Sequence, residues 1–333
     1  LPREREKHRS ARDEIMSEKI KFTLDGREVE ASPNESIWQV AKREGTSIPH
    51  LCWLPEPGFR ADGNCRACMV EVEGERVLTA SCQRKVSPGM KVKTQSERAK
   101  KSREMVFDLL LADQPAREDS HDPKSKFWSW VDAMGIEPSS RFPRGDRPNS
   151  DYSHTAIAVN LDACINCNLC VRACREVQMN DVIGMAYRGH GSKVVFDFDD
   201  PMGTSTCVAC GECVQACPTG ALMEANLIDK ATGKRTAFED KTVETICPYC
   251  GVGCQTNVHV KDNRILYVDG RDGPANENRL CVKGRFGFDY IHHPDRLTKP
   301  LIRRDGQAKR ECLIPRTRAE ILEVFREASW EEA

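Results

Sequence analysis

Apolar and polar residues alternate along 19–30 (KIKFTLDGREVE) on both sides of Asp25-Gly26, which predicts two short strands joined by a tight hairpin turn. Asn34 or Ser36 can then cap a helix over SIWQVAKRE, and Gly45 can close it. Further short strands are expected within 76–94. Between Ser96 and Asp113 the apolar positions Ala99, Val106, Leu109 and Leu110, with Met105 beside them, recur at helical spacing. Residues 114–150 lose this periodicity. They are rich in Pro, Ser, Asp and Arg and read as an irregular connector, with one packed helix or turn at the aromatic patch FWSWV, 127–131. Residues 155–225 contain an internal repeat and 226–242 form a polar joint. From Thr242 short strands return (VETIC, TNVHV, RILYVDG), with turns at Lys261-Asp262-Asn263 and Gly270. The pattern is that of a modular α+β chain rather than one large globule.

Composition narrows the class. Lys plus Arg (50) almost balances Asp plus Glu (51), so no global charge draws the chain to nucleic acid or to an anionic membrane. No run approaches the roughly eighteen apolar residues of a membrane span, and the charged N-terminus LPREREKHRSARDEIM lacks the apolar core of a secretory signal. Adjacent arginines occur only at Arg303-Arg304, far from the N-terminus, so a twin-arginine signal is missing as well. A cytoplasmic protein is expected, with residues 1–16 a disordered leader and Met16 the true start, because the β pattern begins just after it. The 17 cysteines then suit metal rather than a disulfide framework, because the cytoplasm keeps thiols reduced.

Sixteen of the 17 cysteines fall into four sets of four. The first is Cys52, Cys65, Cys68 and Cys82, in which a tight loop and one distant thiolate suit a [2Fe–2S] pair, while a zinc ion also takes four cysteines. Gly58, Gly63 and Ala67 leave room for backbone N–H groups to approach the sulfurs. Hairpin, helix and cysteine loop come in the order of a β-grasp ferredoxin. The spacing resembles the N-terminal ferredoxin module shared by the large iron–sulfur subunit of respiratory complex I, iron-only hydrogenases and NAD-linked formate dehydrogenases.

The repeat supplies the next two sets. Cys164-Ile-Asn-Cys167-Asn-Leu-Cys170-Val-Arg-Ala-Cys174 recurs 43 residues later as Cys207-Val-Ala-Cys210-Gly-Glu-Cys213-Val-Gln-Ala-Cys217-Pro218. The doubled run resembles two-cluster bacterial ferredoxins, in which the fourth cysteine of each run ligates the other cluster. The resemblance implies one [4Fe–4S] cluster on Cys164, Cys167, Cys170 and Cys217, and another on Cys174, Cys207, Cys210 and Cys213. Arg175 stands where that family has a proline after the first run.

The fourth set is Cys247, Cys250, Cys254 and Cys281, reading CPYCGVGC and then CVKGRFG. It resembles the N-terminal [4Fe–4S] module of the molybdopterin oxidoreductases, particularly formate dehydrogenases and assimilatory nitrate reductases. There a lysine just after the fourth cysteine lies between cluster and pterin, and Lys283 holds the matching place; the alternative is a solvated surface charge. Cys312 is left over and reads as a free thiol. His50 can pack near the first set without being a ligand. His121 sits in a connector, 113–150, that has no cysteine, whereas complex I and many iron-only hydrogenases carry a fifth cluster there.

The combined order resembles the α subunit of cytoplasmic NAD-dependent formate dehydrogenase. The expected domains are a β-grasp [2Fe–2S] ferredoxin (17–95), a helix and connector (96–150) and a double [4Fe–4S] ferredoxin-type domain (151–226). A molybdopterin oxidoreductase [4Fe–4S] domain (240–304) and the truncated start of a catalytic domain (305–333) follow. What the resemblance implies is an electron-transfer chain with one [2Fe–2S] and three [4Fe–4S] clusters. It would run between a Mo- or W-bis-pterin centre, held by the remaining catalytic domains, and a flavin/NAD-binding diaphorase subunit. No Ser-His-Asp set, Cys-His pair or phosphate loop offers an active site within the chain, so it is expected not to oxidise formate alone. A fragment resembling the complex I large subunit, a stand-alone electron-transfer adaptor and a zinc-stabilised interaction protein are the other readings.

Overall fold

The computed structural model describes residues 19–138, 141–145, 148–307 and 317–333. The expected disordered leader and Cys312 lie outside them. Strands β1 (Ile20–Leu24) and β2 (Arg27–Ala31) form the hairpin, with Asp25 and Gly26 both at positive φ (49° and 82°), as a tight primed turn requires. The Asp25 carboxylate accepts from the Thr94 N–H and hydroxyl, both at 2.7 Å, and so ties the turn to the far end of the module. Helix α1 (Ile37–Arg43) starts at Ser36, not Asn34. Ser36 and Gln39 exchange the reciprocal bonds of a capping box, and four of the seven helical residues are buried.

Strands β3 (Met69–Val72), β4 (Thr79–Ala80) and β5 (Lys91–Lys93) complete a sheet in the order β2-β1-β5-β3-β4. The β1–β5 pair is parallel and the rest antiparallel, so the hairpin and the C-terminal strand meet at the centre over Phe22, Ile37, Trp38, Val70 and Val92. The sequence pattern missed β3, which is only four residues long and follows Cys68 directly.

Helix α2 (Glu97–Asp113), capped by Ser96, buries Ala99, Arg103, Phe107 and Leu111. This corrects the expected apolar stripe: Leu109 is 47% exposed. The helix has apolar residues on more than one side, and packing on helix α3 (Lys126–Met134) selects the side carrying Phe107, whose ring stacks on Phe127 at 5.9 Å. Phe127 and Trp128 come from the aromatic patch. With Leu51, Ala67 and Leu111 they build a core wedged between the first and second cysteine sets.

In the repeat region β6 (Ile157–Val159) pairs antiparallel with β9 (Leu222–Glu224), which brings the two ends of the repeat together. Between them lie helix α4 (Leu169–Arg172), the hairpin β7 (Ile183–Ala186) with β8 (Lys193–Phe196), and helix α5 (Glu212–Ala216). The joint at 226–242 is not wholly polar in its packing. Leu227 and Ile228 are buried, and β10 (Ile228–Asp229) pairs with β11 (Lys234–Arg235).

The last module is a three-stranded antiparallel sheet, β12 (Lys241–Ile246), β13 (Gln255–Lys261) and β14 (Arg264–Gly270), with helix α6 (Val282–Phe286) against it. Beyond it β15 (Leu301–Arg303), α7 (Arg318–Val324) and β16 (Phe325–Glu327) make a small unit. The segment from Phe325 does not begin a helix. Thr317 caps α7 earlier, and 325–327 pair with the open edge of β15. Among the described residues no helix is long and apolar enough to cross a membrane.

Candidate metal centres

All four members of the first set lie together. Cys52, Cys68 and Cys82 are buried and Cys65 partly so. Hydrogen bonds from the Cys65 and Cys82 thiols hold the Cys52 thiol below its ordinary range, and both donors are pushed up in return. Backbone N–H groups of Asn64 and Cys65 approach Cys52 sulfur, that of Ala67 approaches Cys65, and that of Cys82 approaches Cys68. The glycines serve a different purpose from the one expected. A Cβ at Gly58 would stand 2.9 Å from the Arg279 guanidinium and one at Gly63 2.7 Å from the Gln83 side chain, so neighbouring side chains fill that space.

The doubled run folds as two equivalent loops. Asn166 and Asn168 in the first, and Ala209 and Gly211 in the second, have positive φ at matching places. This left-handed backbone turns N–H groups inward: Asn166 N–H donates to Cys164 Sγ at 3.4 Å and Ala209 N–H to Cys207 Sγ at 3.3 Å. One cavity is lined by Cys164, Cys167, Cys170 and Cys217, the other by Cys174, Cys207, Cys210 and Cys213. The fourth cysteine of each run has crossed to its partner's loop.

The ends of the two runs differ for a chemical reason. Pro218 cannot continue a helix, and it holds Cys217 in an extended conformation (φ −72°, ψ 118°). Arg175 imposes no such stop, so the chain runs on through a π turn at Ala173–Val177 that carries Cys174. Val182 N–H donates to Cys174 Sγ at 3.3 Å. The missing proline changes the helix end and leaves Cys174 at its cavity.

Burial pushes the Cys164 thiol up to about 11 and raises Cys207 and Cys210 as well. A buried thiolate is costly without a cation beside it. Four thiols around one space, met by N–H donors, fit a multi-iron cluster that supplies the positive charge. Among the described residues no three His, Cys, Asp or Glu side chains converge on the position of a single ion.

The fourth set gathers at the surface. Cys247 N–H donates to the Cys254 carbonyl at 2.8 Å, closing the loop between β12 and β13, and Cys281 caps α6. Asn276 is buried. Its carbonyl oxygen accepts from the Gln255 N–H at 2.9 Å, and its amide donates to the carbonyls of Gln255, Arg271 and Arg279, which fixes the loop leading to Cys281. Cys247 and Cys254 are partly buried, while Cys250 and Cys281 are exposed. Lys283 is exposed on α6, as a solvated charge or a residue awaiting a neighbour would be.

Two functional-looking residues escaped the sequence reading. Arg285, two places after Lys283, is fully buried and reaches Glu212, Asp269 and Gln215. Arg172, between Cys170 and Cys174, is also buried and bonds the Cys52 carbonyl. An arginine inside a cysteine motif is the local hint of either. His50 is buried edge-on between Trp38 and Trp53, 2.7 Å from the Lys126 ammonium. Burial lowers it to about 4, consistent with packing beside the first set.

Comparison with known proteins agrees with the order of the modules. Residues 17–97 match the 2Fe-2S iron-sulfur cluster binding domain, 163–221 the 4Fe-4S dicluster domain and 240–293 the molybdopterin oxidoreductase Fe4S4 domain. A formate dehydrogenase-like protein of Staphylococcus haemolyticus is 30% identical over 96% of the chain and 34% of its own length. The alpha chain of an NADPH-Fe(3+) oxidoreductase of Geobacter sulfurreducens is 32% identical over 85% of the chain and 33% of its own length. An NADH-quinone oxidoreductase component of Rhizobium meliloti is 34% identical over 86% of the chain and 33% of its own length. The chain thus spans about a third of the length of these curated relatives. Among solved structures, a chain of an NAD+-reducing [NiFe]-hydrogenase in the H2-reduced state superposes with a TM-score of 0.54 at 28% identity, over 64% of this chain and 88% of that one.

Proposed function

Since the chain carries a 2Fe-2S iron-sulfur cluster binding domain, a 4Fe-4S dicluster domain and a molybdopterin oxidoreductase Fe4S4 domain in series, we propose that it is the electron-transfer portion of a formate dehydrogenase-like, NAD-linked oxidoreductase. The observation that carries this reading is the gathering of sixteen cysteines into four neighbouring quartets. Cys52, Cys65, Cys68 and Cys82 hold a [2Fe–2S] cluster. The crossed quartets Cys164, Cys167, Cys170, Cys217 and Cys174, Cys207, Cys210, Cys213 hold one [4Fe–4S] each, and Cys247, Cys250, Cys254 and Cys281 hold a third. Bound clusters of this kind supply one-electron redox chemistry; the chain's residues bind them, shield three of them from water and set their order.

Ile246, Val252 and Val282 are 61, 57 and 42% exposed in the module of the fourth quartet, more apolar surface than water favours. That surface, with exposed Lys283, suits cover by further domains holding a molybdenum or tungsten bis-pterin, where formate would be oxidised. A flavin/NAD-binding subunit is the partner at the other end, a reading supported by the likeness to the NAD+-reducing hydrogenase chain. We place the protein in the cytoplasm, where thiols stay reduced until metal takes them. A second reading, a relative of the NADH-quinone oxidoreductase component, is favoured by the 34% identity and opposed by the lack of any cysteine between 113 and 150 for a fifth cluster.

Anaerobic iron and acid-labile sulfide analysis of the loaded chain tests the four-cluster core of this reading. About fourteen irons per chain are expected from one [2Fe–2S] and three [4Fe–4S] clusters. A fully loaded chain with about six irons, or with zinc in their place, would overturn it.

A further inference from the structure

Each joint between cluster modules is closed by one buried arginine. At the first joint Arg172, 3% exposed in its side chain, donates to the Cys52 carbonyl at 2.5 Å, the Arg60 carbonyl at 3.0 Å and, at 3.4 Å, the Cys167 carbonyl. The Asp62 carboxylate pairs with it at 2.7 Å. One guanidinium group therefore bonds a cysteine of the first quartet and a cysteine of the second. At the other joint Arg285 lies in the helix that Cys281 caps, and its Nε donates to the Cys210 carbonyl at 2.9 Å. Its remaining donors reach Gln215 at 2.9 Å, Asp269 at 3.2 Å and Glu212 at 3.4 Å. Gly211, at φ +73°, leaves the space of a Cβ to the Arg285 side chain, with which any Cβ there would collide.

The two joints share a plan. Residues 172 and 215 occupy the same place in the repeat, the second residue after the third cysteine of each run. Arg172 uses that place to grip the module before the repeat, while Gln215 uses it to receive Arg285 and to bond Gly270 N–H at 3.0 Å in the module after it. A planar guanidinium with five fixed donors can hold several carbonyls at once, which a lysine ammonium on a flexible stem cannot do with the same geometry.

We propose that Arg172 and Arg285 are positioning residues that fix the separation and orientation of consecutive clusters, Arg172 between the first and second and Arg285 between the third and fourth. The inference rests on the four-cluster reading above. Each arginine also places a positive charge against the carbonyl of a cluster-holding cysteine, which favours the reduced, more negative state of that cluster.

The test compares the full chain, loaded with its clusters and reduced by dithionite, with Arg172→Gln, Arg172→Lys, Arg285→Gln and Arg285→Lys by EPR at equal iron and sulfide content. Both Arg172 variants should lose the magnetic splitting between the [2Fe–2S] signal and its neighbouring [4Fe–4S] signal while the splitting between the last two clusters persists. The Arg285 variants should do the reverse. In redox titrations the glutamine variants should shift the adjacent cluster to lower potential, whereas the lysine variants keep the charge and stay near the original value. If a glutamine variant fails to hold its clusters, the corresponding lysine variant decides. Splittings unchanged in the lysine variants, or altered equally at both joints, would overturn the inference. An unsubstituted chain without four clusters would instead overturn the reading beneath it.

Discussion

His121 shows how much a single buried group can impose on the pH behaviour of the chain. It is 1% exposed, its Nε2 lies 3.0 Å from the Tyr152 hydroxyl, and its Nδ1 has no hydrogen-bond partner. Burial lowers its pKa from 6.5 to about 4. Between those values the unfolded chain takes up a proton that the folded chain refuses, so the fold loses stability as pH falls through this window, by about 3 kcal/mol at most. Glu56 and Glu224, raised to about 7 by burial, act with the opposite slope, so the effect must be read as a difference. The urea midpoint of wild type should fall further between pH 7.5 and 5 (conditions about one pH unit outside and inside the window) than that of His121→Phe. Identical pH dependence in the two proteins would show that His121 takes up its proton as readily in the folded chain as in the unfolded one.

At the scale of an element, the short helix that carries the third cysteine of each run decides which cavity the fourth cysteine enters. α4 and its π turn carry Cys174 to the quartet of Cys207, Cys210 and Cys213, and α5 with its proline stop carries Cys217 to the other. Cys174→Ser should therefore shift the EPR signal that Cys207→Ser shifts, and Cys217→Ser the signal of Cys164→Ser. Serine keeps an oxygen ligand, so the neighbouring cluster should survive and its signal stay nearly intact. If Cys174→Ser instead perturbs the signal of Cys164→Ser, each run holds its own cluster and the crossing carries no ligand.

Across the whole molecule, protection of the cysteines falls toward the C-terminal end. The first quartet has three buried members and each crossed quartet at least one, whereas Cys250 and Cys281 are exposed and no member of the last quartet is buried. Oxidants and chelators reach exposed sulfur first. Brief anaerobic treatment with a chelator should strip the fourth cluster before the others, leaving about ten irons per chain. Early loss of the [2Fe–2S] signal would contradict this order.

The sequence by itself determined the features governed by local chain geometry. Cysteines with two or three residues between them gather locally, Asp25-Gly26 makes a turn, and a helix follows Asn34 or Ser36, because each is settled within a few residues. Tertiary structure decided the rest. Which side of α2 is buried depended on Phe127, a residue of another helix, and the four-residue strand β3 needed β5 beside it. The joints were the least legible part. Arg172 meets Cys52 across 120 positions and Arg285 meets Cys210 across 75, contacts between a guanidinium and a backbone carbonyl that leave no periodicity or motif in the chain. A carbonyl is the same at every residue, so only the folded arrangement says which one a buried arginine will hold.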